Sequence, residues 1–308
     1  MSAEVAATAG APGAPGTGMS SELRQRAEAE LRAQRRERWS LLLHKPAFLV
    51  GVAITGIWLF CALFGTIIAP QDPSQQDLIH KLQGPTAKHW FGLDEAGRDV
   101  FSRVIVGARV IVLVALGATI LATIAGTIIG LCAGYFKGMV DEILMRIADV
   151  FISIPTVVLA LLITAALNSR SSWLVTFIIA VVFTPIISRT VRATVLGESE
   201  LDYVASARLR TEKTPHILFS ELLPNILPPL LVEFTVRLGY AIFAIATLSF
   251  LGAGFPPGSP DWGTQVATHW KYLTGLNWSA TVFPSIAIAS LAIGVNLMQD
   301  GLQEVFDR

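Results

Sequence analysis

The chain has 308 residues, of which 53% are hydrophobic and only 15% charged, with 23 basic against 23 acidic side chains and a mean hydropathy of +0.58. A soluble domain of this length carries more charge, so the composition excludes one and leaves a polytopic membrane protein, all-α because a helix satisfies its own backbone inside lipid. Cys61 and Cys132 both lie in apolar runs, where inert thiols are expected rather than a disulfide framework.

Residues 1–20 are rich in Ala, Gly, Pro and Thr and are expected to form a disordered tail, since they bury too little surface to offset ordering entropy. No signal-peptide pattern is expected in them. Residues 21–45 read as a charged cytoplasmic helix, either lying beside anionic headgroups or simply solvated. The rest, 46–308, reads as a six-helix transmembrane domain with spans at 47–69, 110–135, 147–168, 172–189, 226–251 and 280–299. Each approaches the roughly 20 apolar residues that a helix needs to cross the hydrocarbon. With the N-terminus inside, inner segments hold fifteen Lys and Arg against seven outside, so both termini are expected in the cytoplasm.

The first outer loop carries Asp94, Glu95, Arg98, Asp99 and Arg103 at helix-like spacings, with Arg98 and Asp94 placed to pair. The plainer reading is a solvated helix capping the second span; the other is a rim that orders the pore mouth or meets a binding protein. In the second span Gly126, Gly130 and Gly134 recur every four residues, a seam either within the chain or between subunits. Asp149 is expected to pair with Arg146 beside Pro155, which marks the cytoplasmic part of the third span.

A polar island, 198–225, interrupts the hydrophobic sequence. Ser199 and Asp202 have capping spacing for a short helix from about Leu201 to Leu209. Its small residues Val204, Ala205 and Ala207 would let another protein approach the backbone. Thr214-Pro215 reads as a cap and first-turn proline opening a second helix, stopped at Leu223-Pro224-Asn225. Glu233 and Arg237, four apart in the fifth span about 14 Å beyond Pro224, are expected near mid-bilayer, as a dry pair or as part of a water-filled path. In the last outer loop Trp262, Trp270, Tyr272 and Trp278 read as an interfacial belt.

Chemistry is not legible. No G-x-x-x-x-G-K-[ST] loop and no H-E-x-x-H is present, and the five histidines are scattered. No internal repeat suggests a self-sufficient secondary transporter or channel, the more distant alternative. The island's Ser206-Ala207, its turn at Thr211 and Leu223-Pro224 resemble the ATPase-docking "EAA" loop of ABC importer permeases. Together with Phe91–Arg103, Leu248–Gly252, Trp262-Gly263 and Asp300–Leu302, they resemble the C-type permease subunit of dipeptide/oligopeptide ABC importers over most of 40–308.

That resemblance implies the six-helix type I importer permease fold, in a prokaryotic cell membrane. It implies ATPase coupling through Tyr203, Val204, Ala205, Ser206, Ala207, Arg208, Thr211, Leu223 and Pro224, and an outer-loop motif of Gly92, Asp94, Gly97, Arg98, Asp99 and Arg103. The partners implied are a homologous B-type permease, two cytoplasmic ATPases, an extracytoplasmic substrate-binding protein and membrane lipid, with no nucleic acid. This chain binds no cofactor in that reading; ATP and Mg belong to the partner subunits. The cargo implied is a peptide, with haem or nickel chelates as alternatives. The family places Gly where Thr211 stands, so either the turn uses another backbone conformation or Thr211 is strained.

Overall fold

Pro46 opens the first long helix, α1 (Pro46–Ile68), at a position where its missing amide costs nothing. The computed structural model describes residues 44–167, 170–275 and 278–306, of which those from Lys45 onward belong to one compact unit. The expected tail and nearly all of the charged helix lie outside the described residues. From α1 the chain passes through a long turn-rich segment to α2 (Val100–Phe136), whose N-cap Asp99 accepts the Ser102 amide at 2.8 Å. Next come α3 (Gly138–Ser153), α4 (Thr156–Leu167) and α5 (Ser172–Glu198). The short α6 (Asp202–Leu209) and α7 (Thr214–His216) lead through a π-helical turn, Ile217–Leu222, into α8 (Leu223–Phe250). Finally α9 (Trp262–His269) folds onto the bundle before α10 (Ser279–Phe306).

Among the described residues, five helical stretches are long and apolar enough to cross a membrane, or six if the bent pair α3–α4 is one span. The third expected span is therefore corrected: it is two helices meeting at 91°. Ile154, forced out of the helical region by Pro155, is extended at φ −94°, ψ 128°. Asp149 lies on α3 and pairs with Arg189 of α5, not with Arg146, which instead reaches Glu142 at 3.2 Å.

The core runs along α2 and α5. A Cβ added to Gly126, Gly130 or Gly134 would meet Ile187, Val191 or Val195 of α5 at 2.6 to 2.8 Å. The glycine stripe is thus an intrachain seam, and packing through it replaces side-chain bulk with backbone proximity. On the other flank α1 leans on α10, where a Cβ at Gly51 would lie 2.7 Å from the Gly294 carbonyl.

Candidate functional sites at the two ends of the bundle

At one end, Pro70–Asp99 and α9 form a cap. The turn at 93–99 is not helical: it closes on an isolated bridge between Leu93 and Asp99, with Gly92 and Gly97 at φ +77° and +74°. The expected solvated helix is therefore corrected, because helix begins only at Val100 and Asp94, Asp99 and Arg103 are buried. Asp94 is 1% exposed; its carboxylate accepts the amides of Ala96 and Arg98 and the Arg98 Nε at 2.8 Å. Arg103, 3% exposed, stands 3.7 Å from Asp94 and donates to the Pro73 and Ser259 carbonyls, tying the two halves of the cap together. Asp99 also meets His89 Nδ1 at 2.9 Å. These short-range charges exchange water for each other, which is why the cluster can be buried at all.

The aromatic belt is corrected at one member. Trp262 is fully buried, donates from Nε1 to the Val104 carbonyl at 2.8 Å and meets Trp58 edge-on at 4.7 Å. Trp270 and Trp278 are exposed, whereas Tyr272 donates to Glu95. Asp261, Gln265 and His269 were missed by sequence reasoning. Asp261 caps α9 through the Thr264 amide, and burial, partly opposed by that bond, pushes its carboxyl up. The spacing Asp261–Thr264 was the available signal.

At the other end, α6 and its return form a hairpin. Val204 and Ala207 are fully buried against Ile217, Leu218 and Leu222, so they face the chain's own core rather than a partner. The exposed face is Asp202, Ala205, Ser206 and Leu209, the last 85% exposed. Arg208 is also exposed and sits over the Tyr135 ring at 4.9 Å. Ser199 does not cap α6; Leu201 does, without a side-chain bond, and Ser199 Oγ donates back to Leu196. Tyr203 donates to Glu198 at 2.8 Å, and burial followed by that carboxylate pushes its hydroxyl pKa up to about 12.

Helix α6 ends in a Schellman motif: the Glu212 amide reaches the Ala207 carbonyl and the Thr211 amide reaches Arg208. Its left-handed residue is Thr211, at φ +54°. The β-branched side chain is strained there, which resolves the expected alternative. Thr211→Gly is expected to stabilise the hairpin by about 1 kcal/mol, seen as slower tryptic cleavage at Arg208, Arg210 and Lys213.

The second helix does not stop at Leu223-Pro224. The π turn lets the Leu223 amide reach Leu218, Pro224 has no amide to place, and the Asn225 side chain satisfies the Glu221 carbonyl at 2.8 Å. Helix therefore continues from Thr214 to Phe250. Thr214 lies inside its first turn, with Lys213 as cap.

Glu233 and Arg237 pair at 2.5 Å, 13% and 16% exposed, beside the Tyr240 ring. Pro224 no longer marks a helix end, so it sets no depth for them. A Cβ at Gly239 would lie 2.9 Å from Asn296 Oδ1, and Val236 shares a cavity of about 490 Å³ with Gln299 and Asp300. The pair is thus level with the polar final turns of α10, not midway along it.

Buried charge at one end, an exposed short helix at the other and apolar spans between them define a polytopic membrane protein. Residues 126–308 match the model for binding-protein-dependent transport system inner membrane components, and residues 34–85 that for the N-terminal transmembrane domain of oligopeptide transport permease C. The chain belongs to the family of binding-protein-dependent transport system inner membrane components. It is 34% identical to the dipeptide transport system permease protein of Alkalihalophilus pseudofirmus, over 88% of this chain and 89% of that one. Identity to the di/tripeptide transport system permease protein of Pseudomonas aeruginosa is 36%, over 88% and 91%. Among solved structures, the inward-facing MetNI methionine ABC transporter matches with TM-score 0.46 and 20% identity, over 62% of this chain and 94% of that one.

Proposed function

We propose that this permease imports di- or oligopeptides and is driven through the α6 hairpin by cytoplasmic ATPase subunits. The observation that carries the reading is the hairpin itself. It shows Asp202, Ala205, Ser206 and Leu209 to solvent and is anchored from behind by Val204 and Ala207. A partner pressing on that face moves a rigid unit. The motion passes into α5 at Glu198 and, without a flexible joint, into the continuous helix Thr214–Phe250. At about 1.5 Å per residue that helix carries displacement some 55 Å. Its far end packs on the cap, where a Cβ at Gly263 would meet Ser249 at 2.6 Å.

In this reading the hairpin and both termini are cytoplasmic, and the cap faces outward toward a substrate-binding protein. A B-type permease supplies the other half of the pathway, and ATP and Mg are handled by the ATPases. The Glu233–Arg237 pair and the cavity with Asn296, Gln299 and Asp300 support a hydrated path on this subunit, because ionisable side chains between apolar helices are stable where water or a partner reaches them.

Ser206→Arg tests the coupling, since it places a long charged side chain on the exposed face; Ala207→Arg would instead damage the hairpin's own core. Co-purified ATPases and peptide-stimulated ATP hydrolysis are expected to fall at least about tenfold, while thermal stability stays within about 0.5 kcal/mol of wild type. Wild-type coupling in Ser206→Arg would remove this face from the mechanism. Competition of uptake by unlabelled peptides tests the cargo separately.

A further inference from the structure

His269 closes the last turn of α9 and is 1% exposed. Its Nδ1 lies 2.7 Å from the Gln265 carbonyl, so the neutral ring carries its proton there and presents Nε2 as an acceptor. Nε2 is sealed from solvent with no protein hydrogen-bond partner among the described residues, and it faces Asp94 Oδ2 at 3.9 Å. We propose that His269 is an acid-released pin of the cap: the neutral ring lets α9 close on the 93–103 turn, and a proton at Nε2 loosens that closure.

The surrounding charges decide the sign. From the turn come Asp94, Glu95 and Arg98, from α2 comes Arg103, from the start of α9 Asp261, and beyond its end Lys271. Asp94 already has two guanidinium partners, Arg98 at 2.8 Å and Arg103 at 3.7 Å, and Lys271 takes Glu95 at 3.3 Å. A protonated imidazole would therefore be a further buried cation beside a carboxylate that two others share. Helices α1, 241–250 of α8 and 279–292 of α10 offer no acidic side chain to balance it. Burial holds the imidazole below its ordinary range; Asp94, the bond to the Gln265 carbonyl and Glu95 oppose this, and Arg103 adds to it.

The linkage follows from that direction. In the opened cap the ring titrates near 6.5, and in the closed cap below it, so opening takes up a proton between those two values. Closure is complete above about pH 6.5 and weakens as pH falls toward the closed-state value, by at most about tenfold per pH unit. The device acts on the cap alone and stands whether or not the proposed cargo and coupling are right.

Hydrogen exchange of the full chain in lipid nanodiscs tests it, each rate being divided by the intrinsic rate at that pH. Between pH 7.5 and 5.5 the amides of Trp262–His269 are expected to lose protection at least about threefold, within that limit. Those of Val204–Leu209 are expected to stay constant. His269→Asn, which can still donate to the Gln265 carbonyl but does not titrate, is expected to flatten the profile; His269→Gln serves if that variant does not fold. A flat wild-type profile overturns the proposal whatever the variants do, and so does a folded variant that keeps the wild-type pH dependence.

Discussion

Asp94→Asn is expected to destabilise the protein by about 3–5 kcal/mol. The asparagine has the same shape and keeps an acceptor for the Ala96 and Arg98 amides, but its NH2 replaces the oxygen that accepts from Arg98 Nε, so the change removes the charge and that bond together. It strands Arg98 and Arg103 beside a neutral group, and Arg103 is 3% exposed. Breaking a buried pair from one side carries that cost because the remaining charge has lost its water and its partner. Glu200→Gln is the control. It breaks the Lys137–Glu200 pair, whose side chains are 44% and 74% exposed, and is expected to cost less than about 1 kcal/mol. Thermal unfolding of both variants in the same nanodiscs measures the difference. Equal melting temperatures would show that the cap charges contribute no more than a surface pair.

The second large effect is expected at the glycine seam. A Cβ at Gly130 would lie 2.7 Å from the Ser188 carbonyl and 2.6 Å from the Val191 Cβ. The carbonyl belongs to α5's backbone and cannot rotate aside, so Gly130→Leu must push α2 and α5 apart along their length. A cost of about 3 kcal/mol, at the upper end for overpacking, is expected as a lower melting temperature and poor recovery of monodisperse protein. Gly56→Leu supplies the comparison, because nothing lies within 4 Å of a Cβ there. A Gly130→Leu protein as stable as Gly56→Leu would mean that the seam does not hold the bundle together.

The two ends of the bundle show how far sequence reasoning reaches. The unusual residue at Thr211 showed only through the resemblance to the family's loop, whereas the spans other than the third and the α6 helix depend on composition and on neighbours a few positions away and were legible. So was the pairing of Arg98 with Asp94, although a turn rather than a helix brings them together. Burial was not legible. Val204 and Ala207 read as an offered surface because they are small, yet the side that covers them comes from Ile217–Leu222. Trp262 read as an interfacial ring, yet its indole is claimed by Val104, 158 residues away.

By itself the sequence determined that the chain crosses a membrane several times, that one polar island breaks the apolar pattern, and that the island contains a short helix ending at a turn. Those are properties of period, length and local backbone preference, which need no distant partner. Tertiary structure alone decided that Asp149 takes Arg189 over Arg146, that Trp262 is claimed by Val104, and that Asp94, Asp99 and Arg103 are dry. Each of these is a competition between partners equally near in chemistry but not in space. The outcome depends on which side chains another element brings to the same face, and no pattern within one element carries that information.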